Sequence, residues 1–329
     1  AYTDRFIKNA DFLGGIMGIV LTGMGSKLPS KRLSNIDLSN MVDTSDEWIR
    51  SRTGIEYRYV CEENEGLSML ATEAAKKALE MSSTDAKDID LIICATSTPD
   101  KNFPSCACEV QAALGNTKAL CFDISAACSG FIYALHTAES MMLSKRYKKT
   151  LLIGADVLSR HIDWEDRTTC VLFGDGAAAA VLEFDEAADG ILGESLGSDG
   201  SRGDGLSCNA LGENPYMYMN GQEVFKFAVR TVPESIKQAL EKANVKTEEV
   251  KFYVLHQANV RILDSVAKKL DEALDKFPKN LDKLGNTSGA SVPLLLDEII
   301  REGRLKKGDI IVISGFGAGL TWGSIVMRY

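Results

Sequence analysis

The run from Ala78-Leu79-Glu80 to Ile89-Asp90-Leu91-Ile92-Ile93-Cys94-Ala95 lies, without a gap, over Ala239-Leu240-Glu241 to Val250-Lys251-Phe252-Tyr253-Val254-Leu255-His256. The offset is 161 positions, and it also lays Gly154, closing Thr150-Leu151-Leu152-Ile153, over Gly315, closing Ile310-Ile311-Val312-Ile313-Ser314. Both stretches read as helix, loop and apolar strand. A strand that is apolar throughout is expected to be covered on both faces. The chain is therefore read as a duplicated α/β core. Reactive residues appear where the copies differ: His256 faces Ala95, and Cys128 faces Gly289. A thiol in one half and an imidazole in the other point to a site between the halves.

Outward from this repeat, residues 17–22 read as a strand, and 45–49 start a short helix with Thr44 as its cap. Residues 68–81 form a helix with Ala71, Ala74, Ala75, Ala78 and Leu79 on one face. Residues 106–114 read as a helix ended by Gly115, 119–124 as a strand and 129–143 as a helix. Strands at 151–153 and 177–183 complete the first half. Residues 185–189 link the halves, and 198–205 form a polar surface loop. A long helix spans 221–240, bent near Pro233. Strands follow at 252–255, 310–314 and 323–329. The alternation of strands and helices predicts parallel sheets with helices on their faces. The expected organisation is a half at 17–188 carrying the thiol and a half at 189–329 carrying the imidazole. Residues 1–16 lack an initiator Met and read as an unusual extension or an added segment.

Composition narrows the function. A chain of 329 residues with 45% hydrophobic and 25% charged residues is ordinary for a soluble protein. No apolar run is long enough to span a membrane, and residues 1–15 lack the apolar core of a signal peptide. The net charge of −9 argues against nonspecific nucleic-acid binding. The eight cysteines are scattered, mostly in apolar runs, as expected of reduced thiols in a cytoplasmic enzyme. Cys106 and Cys108 have no second Cys/His pair at metal-ligand spacing, so zinc is disfavoured and no metal is expected.

Cys128 sits in Asp123-Ile124-Ser125-Ala126-Ala127-Cys128-Ser129-Gly130-Phe131. A strand ends, small residues turn the chain, and a helix begins at the cysteine. Amides at a helix start are expected to lower the thiol pKa below about 8.5. A buried structural cysteine is the bland alternative, and the strand-turn-helix placement favours the nucleophile. Of three histidines, His256 stands at a strand end, where α/β ligand sites lie. His136, within a helix, and His161, in a loop, read as surface or packing residues. Asn286, in Gly285-Asn286-Thr287-Ser288, precedes another helix and is either a turn residue or a site residue. Gly315-Phe316-Gly317-Ala318-Gly319 superficially resembles a dinucleotide loop, but a strand follows it instead of a helix. A glycine turn at a strand end can instead bring a backbone N–H to a reacting carbonyl.

Together, the segment around Cys128, His256-Gln257-Ala258-Asn259, Gly285-Asn286-Thr287-Ser288 and the last glycine turn resemble the β-ketoacyl-[acyl-carrier-protein] synthase III family of the thiolase superfamily. Thr44-Ser45-Asp46-Glu47-Trp48-Ile49 with Arg52-Thr53-Gly54-Ile55 is similar to that family's coenzyme A entrance. The resemblance runs in order from about Met17 to Tyr329. It implies a thiolase-like fold, two duplicated βα halves in a layered αβαβα core. It also implies a catalytic triad of Cys128, His256 and Asn286, and oxyanion donors at the backbone N–H groups of Cys128 and Ala318. Gly289, where many members have Ala, and Ala318, where some have Gly, depart from the pattern and leave those N–H groups in place.

The implied reaction is the initiating condensation of type II fatty acid synthesis. Cys128 takes an acyl group from a short acyl-CoA, acetyl-CoA by expectation, and malonyl-acyl carrier protein then condenses with it and loses CO2. Coenzyme A would be bound by Trp48, stacked on its adenine, with Arg52, Thr44, Arg167, Asn259 and Phe225. Phe103 would gate the acyl pocket of a homodimer partner. An acidic carrier protein would meet Arg261, Lys268 and Lys269, three cations on one helix face, and Lys226; a solvated face is the bland alternative. No metal or redox cofactor is called for. Two rivals stand beside this reading: a related Cys-His-Asn condensing enzyme of polyketide or signal-molecule synthesis, and a thiol redox or sensor protein built on Cys128.

Overall fold

In a computed structural model that describes residues 18–210 and 214–329, the chain folds around two sheets. The first contains β1 (Gly18–Lys27), β2 (Leu91–Ala95), β3 (Leu120–Ile124), β4 (Lys149–Asp156) and β5 (Gly176–Asp185), in the order β1-β5-β4-β2-β3. The second contains β6 (Ile191–Ser198), β7 (Val250–Leu255), β8 (Ile310–Gly317) and β9 (Thr321–Arg328), in the order β6-β9-β8-β7. The expected segment 1–16, and Met17, lie outside the described residues.

The same pairings recur in the two sheets. β1 pairs antiparallel with β5 as β6 does with β9; β5 pairs antiparallel with β4 as β9 does with β8; β4 pairs parallel with β2 as β8 does with β7. The duplication read from the sequence is therefore a duplication of topology. β3, parallel to β2, has no counterpart strand among the described residues. The expectation of parallel sheets is corrected: both are mixed. β8 and β9 are joined by the short turn 318–320, and a connection that short can only make an antiparallel pair, since a parallel one needs a crossover.

Strand periodicity sorts the core into layers. Leu91, Ile93 and Ala95 face one way from β2, and Phe252, Val254, Ile311 and Ile313 face one way from β7 and β8. Both sets meet two helices, Gly130–Leu143 through Phe131, Ala134, Leu135 and Ala138, and Ser291–Arg301 through Val292, Leu295, Leu296 and Ile299. The alternate residues Ile92, Cys94, Leu151 and Ile153 meet the outer helices Leu67–Ser82 and Cys106–Ala113. Tyr253, Leu255, Ile310 and Val312 meet Gly221–Ala243 and Val260–Leu270. The result is helix, sheet, helix pair, sheet, helix, which explains why both sheets read as apolar throughout. Truncating a fully buried residue such as Ile93 to Ala would cost roughly 2–5 kcal/mol.

Local boundaries depart from expectation in a few places. The first long-expected cap is Ser45, not Thr44: its Oγ accepts from the Trp48 amide at 3.1 Å and starts the helix Asp46–Thr53. Pro233 is carried inside Gly221–Ala243. A short hairpin, Leu206–Cys208 against Met217–Met219, had no sequence signal. Its strands are three residues each and lack a clear alternation.

Candidate active site

The two central helices begin in the same way. A 3-10 turn, Ala127–Ser129, leads into Gly130–Leu143, and Ser288–Ala290, displaced by 161 positions, leads into Ser291–Arg301. Each turn packs on the other half's sheet. A Cβ on Gly154 of β4 would come within 2.5 Å of the Gly289 carbonyl oxygen, and one on Gly315 of β8 within 3.1 Å of the Cys128 carbonyl oxygen. The glycines at the overlay positions therefore let each helix start sit directly on the opposite sheet. This crossing brings the reactive residues of the two halves together.

Cys128 is buried at 7% exposure, and its thiol donates to the Ser288 hydroxyl at 3.5 Å. Burial pushes its pKa up to about 12, and the carboxylate of Asp156 adds to the rise. This corrects the expected lowering. The turn that holds Cys128 is a three-residue 3-10 segment, and the desolvation it imposes outweighs the aligned amides. The resting nucleophile is a neutral thiol.

His256 follows β7, with its backbone N–H donating to the Ser314 carbonyl at 2.8 Å. Its ring stands edge-on to Phe316 at 5.2 Å between centroids. Nδ1 is buried without a hydrogen-bond partner among the described residues, and burial pushes the imidazole down to about 3, so it is neutral. Asn286 is held by its backbone, which donates to the Leu172 carbonyl at 2.8 Å and accepts from the Gly174 amide at 2.9 Å. Its Oδ1 accepts from the Ser288 amide at 2.9 Å, which fixes the side-chain flip and leaves Nδ2 as the group available to donate.

Cys128, His256, Asn286 and Ala318 all line one cavity of about 450 Å³. Leu158, Phe173, Val224 and Phe316 supply apolar walls, and the hairpin residues Leu206, Met217 and Met219 close one side. A neutral imidazole and a carboxamide with a free N–H are donors suited to a developing oxyanion, and a thiol beside them is suited to nucleophilic attack.

The other expected site residues divide. Trp48 is half-buried, with the Arg52 guanidinium 4.6 Å and the Arg167 guanidinium 5.3 Å from its ring centroid. Arg167 also donates to the Asp43 carbonyl at 2.8 Å. Thr44 lies nearby in sequence, its hydroxyl buried and without a partner among the described residues. Asn259 is occupied: its Oδ1 caps the helix Val260–Leu270 through the Arg261 amide at 2.9 Å, and its Nδ2 donates to the Arg52 carbonyl at 3.0 Å. Each of these leaves one further hydrogen-bonding position for a ligand. Phe225 is 37% exposed beside the wall residue Val224. Phe103 is 85% exposed and does not line the cavity of its own chain. Arg261, Lys268, Lys269 and Lys226 are exposed, with Arg261 donating to the Ser51 carbonyl at 2.8 Å.

Three features had gone unread in the sequence. His161, expected on the surface or in packing, lines the cavity. Ser288 touches the Cys128 thiol, a contact the overlay itself signals because Ser288 stands 161 positions from Ala127. Asp156 lies fully buried beneath the turns and accepts from the Thr96 hydroxyl, the Ser97 amide, the Thr98 hydroxyl and the Gly289 amide at 2.9–3.2 Å. It closes β4, and only the sheet order brings it there. His136, by contrast, pairs with Glu194 at 2.8 Å, away from the cavity, as a packing residue would.

Known proteins resemble this chain over most of its length. Residues 122–200 match the family model described as 3-oxoacyl-[acyl-carrier-protein (ACP)] synthase III, and residues 240–329 match its C-terminal counterpart. A β-ketoacyl-[acyl-carrier-protein] synthase III of Microcystis aeruginosa is 50% identical over 94% of this chain and 97% of its own length. The crystal structure of 3-oxoacyl-[acyl-carrier-protein] synthase III from Aquifex aeolicus superposes with a TM-score of 0.91 at 48% identity, covering 96% of this chain and 100% of that one. The priming β-ketosynthase of the R1128 polyketide pathway superposes with a TM-score of 0.90 at 32% identity, covering 94% and 96%.

Proposed function

This chain belongs to the β-ketoacyl-[acyl-carrier-protein] synthase III family, and from that premise we propose that it is the acyltransferase that performs the initiating condensation of type II fatty acid synthesis. The observation that carries the residue assignment is the meeting of Cys128, His256 and Asn286, from two halves of the chain, in one 450 Å³ cavity. The higher identity to synthases of this family, 50% and 48% against 32% for the polyketide enzyme, supports the fatty-acid reading over the polyketide one.

In the first stage the Cys128 sulfur attacks the thioester carbonyl of a short acyl-CoA. The new S–C bond forms, the bond to coenzyme A breaks, and the thiol proton ends on the released coenzyme A. The N–H groups of Cys128 and Ala318 hold the acyl oxygen while it carries charge. In the second stage malonyl-acyl carrier protein loses CO2, and the carbanion attacks the acyl-cysteine and releases the Cys128 sulfur. Charge develops on the malonyl thioester oxygen, and the neutral His256 and the Asn286 Nδ2 donate to it. Loss of one such donor costs roughly 3 kcal/mol. The burial that keeps His256 neutral suits this work, because an unprotonated imidazole donates without competing as an acid.

Trp48 offers a ring face for the adenine of coenzyme A, with Arg52 and Arg167 beside it for phosphate groups and Thr44, Asn259 and Phe225 along the approach. Lys226, Arg261, Lys268 and Lys269 offer the acidic carrier protein its basic contacts. The two stages run on these side chains without a metal or redox cofactor. The eight free cysteines support a reducing, cytoplasmic setting, and no described helix is long and apolar enough to cross a membrane. Among the described residues β3 ends its sheet with an unpaired edge, and this supports a homodimer that pairs there and lends Phe103 to the neighbouring cavity.

The test is intact-protein mass spectrometry after incubation with a panel of acyl-CoAs, followed by malonyl-carrier protein. An acyl mass on Cys128, discharged as a 3-oxoacyl product, is the expected result. An acyl group on another cysteine, or none with any donor, would overturn the reading.

A further inference from the structure

Ser288 and Ala127 stand 161 positions apart, at the same place in the two halves. Both hold left-handed backbone, with φ of 49° and 45°. The two turns meet, and across them the Cys128 thiol donates to the Ser288 hydroxyl at 3.5 Å. The same hydroxyl lies close enough to the buried carboxylate of Asp156 to favour its charged form. Its single hydrogen therefore has two acceptors in reach, the carboxylate and the sulfur.

Asp156 does not depend on that hydrogen. The Thr96 and Thr98 hydroxyls and the Ser97 and Gly289 amides already donate to it. The Cys128 sulfur is less well supplied: beside this hydroxyl its own backbone N–H favours the charged form, while burial and the nearby carboxylate oppose it. A hydroxyl free to turn from the carboxylate to a charged sulfur contributes more at the sulfur, because the carboxylate already holds four other donors and a bond to a charged acceptor is a strong one.

We propose that Ser288 is a further catalytic residue of the acylation stage: its hydroxyl accepts from the resting Cys128 thiol and turns to donate to the sulfur as charge develops there. No atom is transferred to Ser288. The proton and the acyl group move as in the first stage above, and the serine stabilises the sulfur while they do. The inference rests on the reading of Cys128 as the acylated nucleophile.

Ser288→Ala is a clean removal of the hydroxyl. Ala127 holds the same backbone conformation with a methyl side chain, and the Ser288 amide that fixes Asn286 survives the substitution. Three rates are measured in wild type and Ser288→Ala: acyl transfer from acetyl-CoA to Cys128, alkylation of Cys128 by iodoacetamide, and decarboxylation of malonyl-carrier protein by enzyme already alkylated at Cys128. The expected result is a loss of roughly ten- to hundredfold in the first two, with decarboxylation unchanged. Wild-type acylation and alkylation in the variant would overturn the proposal. So would an equal fall in all three rates, which would mean that Ser288 serves only to hold Asn286. If wild type takes no acyl group at Cys128, the proposed function fails, and the alkylation rates still decide the role of Ser288.

Discussion

Asp156 and Gly317 stand 161 positions apart at corresponding ends of β4 and β8, and they treat the two helix starts in opposite ways. Asp156 Oδ2 accepts the Gly289 amide at 3.0 Å. Gly317 brings no side chain to the corresponding amide, that of Cys128, and a Cβ there would lie 2.8 Å from the Cys128 nitrogen and 2.9 Å from its Cβ. Duplication thus filled one helix start with a carboxylate and kept the other bare for chemistry.

Gly317→Ala should therefore damage the site more than the fold. The added methyl meets backbone, which cannot swing aside, and overpacking of this kind costs roughly 1–3 kcal/mol. Displacing Cys128 by about an ångström should lower kcat/KM by about 100-fold. Gly289→Ala is the control: its Cβ would lie 3.2 Å from Asp156 Oδ2, close but without backbone overlap below 3 Å. Steady-state kinetics and urea unfolding of both variants check this, and equal activity losses would contradict it.

The partial reactions should separate the triad. Cys128→Ser should abolish acyl transfer from acyl-CoA with the fold retained. His256→Ala and Asn286→Ala should still form acyl-enzyme but lose decarboxylation by about 100-fold each, the worth of one oxyanion donor. Single-turnover acylation and CO2 release report the two stages. Wild-type condensation in either variant would remove that residue from the oxyanion role.

The repeat made the fold legible because both copies of the strand-helix unit kept their apolar pattern. Leu91 to Ala95 was read to the residue. Cys128 and His256 were legible because a strand end followed by small residues limits where a reactive side chain can sit. Antiparallel β1, β5, β6 and β9 were not legible as such, since a strand buried on both faces carries no mark of its direction. Asp156 and Ser288 stayed hidden for a different reason. Each reaches the site through a partner in the other half, Gly289 for Asp156 and Cys128 for Ser288, so nothing local distinguishes them. The thiol pKa was misjudged because sequence shows a helix start but not its burial.

Neutral His256 should leave a signature in stability. Its pKa is near 6.5 in the unfolded chain and about 3 in the native site. Between those values the unfolded chain binds a proton that the native site refuses, so stability falls as pH falls, by about 1.4 kcal/mol per unit from this group. The contribution is intact above pH 6.5. Urea midpoints at pH 7.5 and pH 5 should therefore differ less in His256→Gln than in wild type. An identical pH dependence would show that burial does not depress the His256 pKa in the native state.

The protein should be a homodimer. Among the described residues β3 closes the five-stranded sheet with a free edge, Leu120 on it is 45% exposed, and Phe103 in a nearby loop is 85% exposed. An unpaired edge beside exposed apolar side chains is a surface that proteins ordinarily cover. Sedimentation equilibrium should give twice the chain mass at micromolar concentration. A fully active monomer would contradict the pairing.

The primer should be short, acetyl or close to it. Phe103 lies outside its own chain's cavity and, in the proposed dimer, would enter the neighbouring one as a rigid ring against the acyl chain. One methylene in such a pocket changes discrimination by only about 1–3 kcal/mol, so propionyl- and butyryl-CoA should still react. Octanoyl-CoA should react poorly, because several methylenes would have to displace the ring. Phe103→Thr should open the space and raise the relative rate with octanoyl-CoA while changing acetyl-CoA little. The comparison is of initial acylation rates across acetyl-, butyryl-, isobutyryl- and octanoyl-CoA for both proteins. A wild-type preference for octanoyl would defeat the prediction, and an unchanged ranking in Phe103→Thr would show that another side chain sets the length of the pocket.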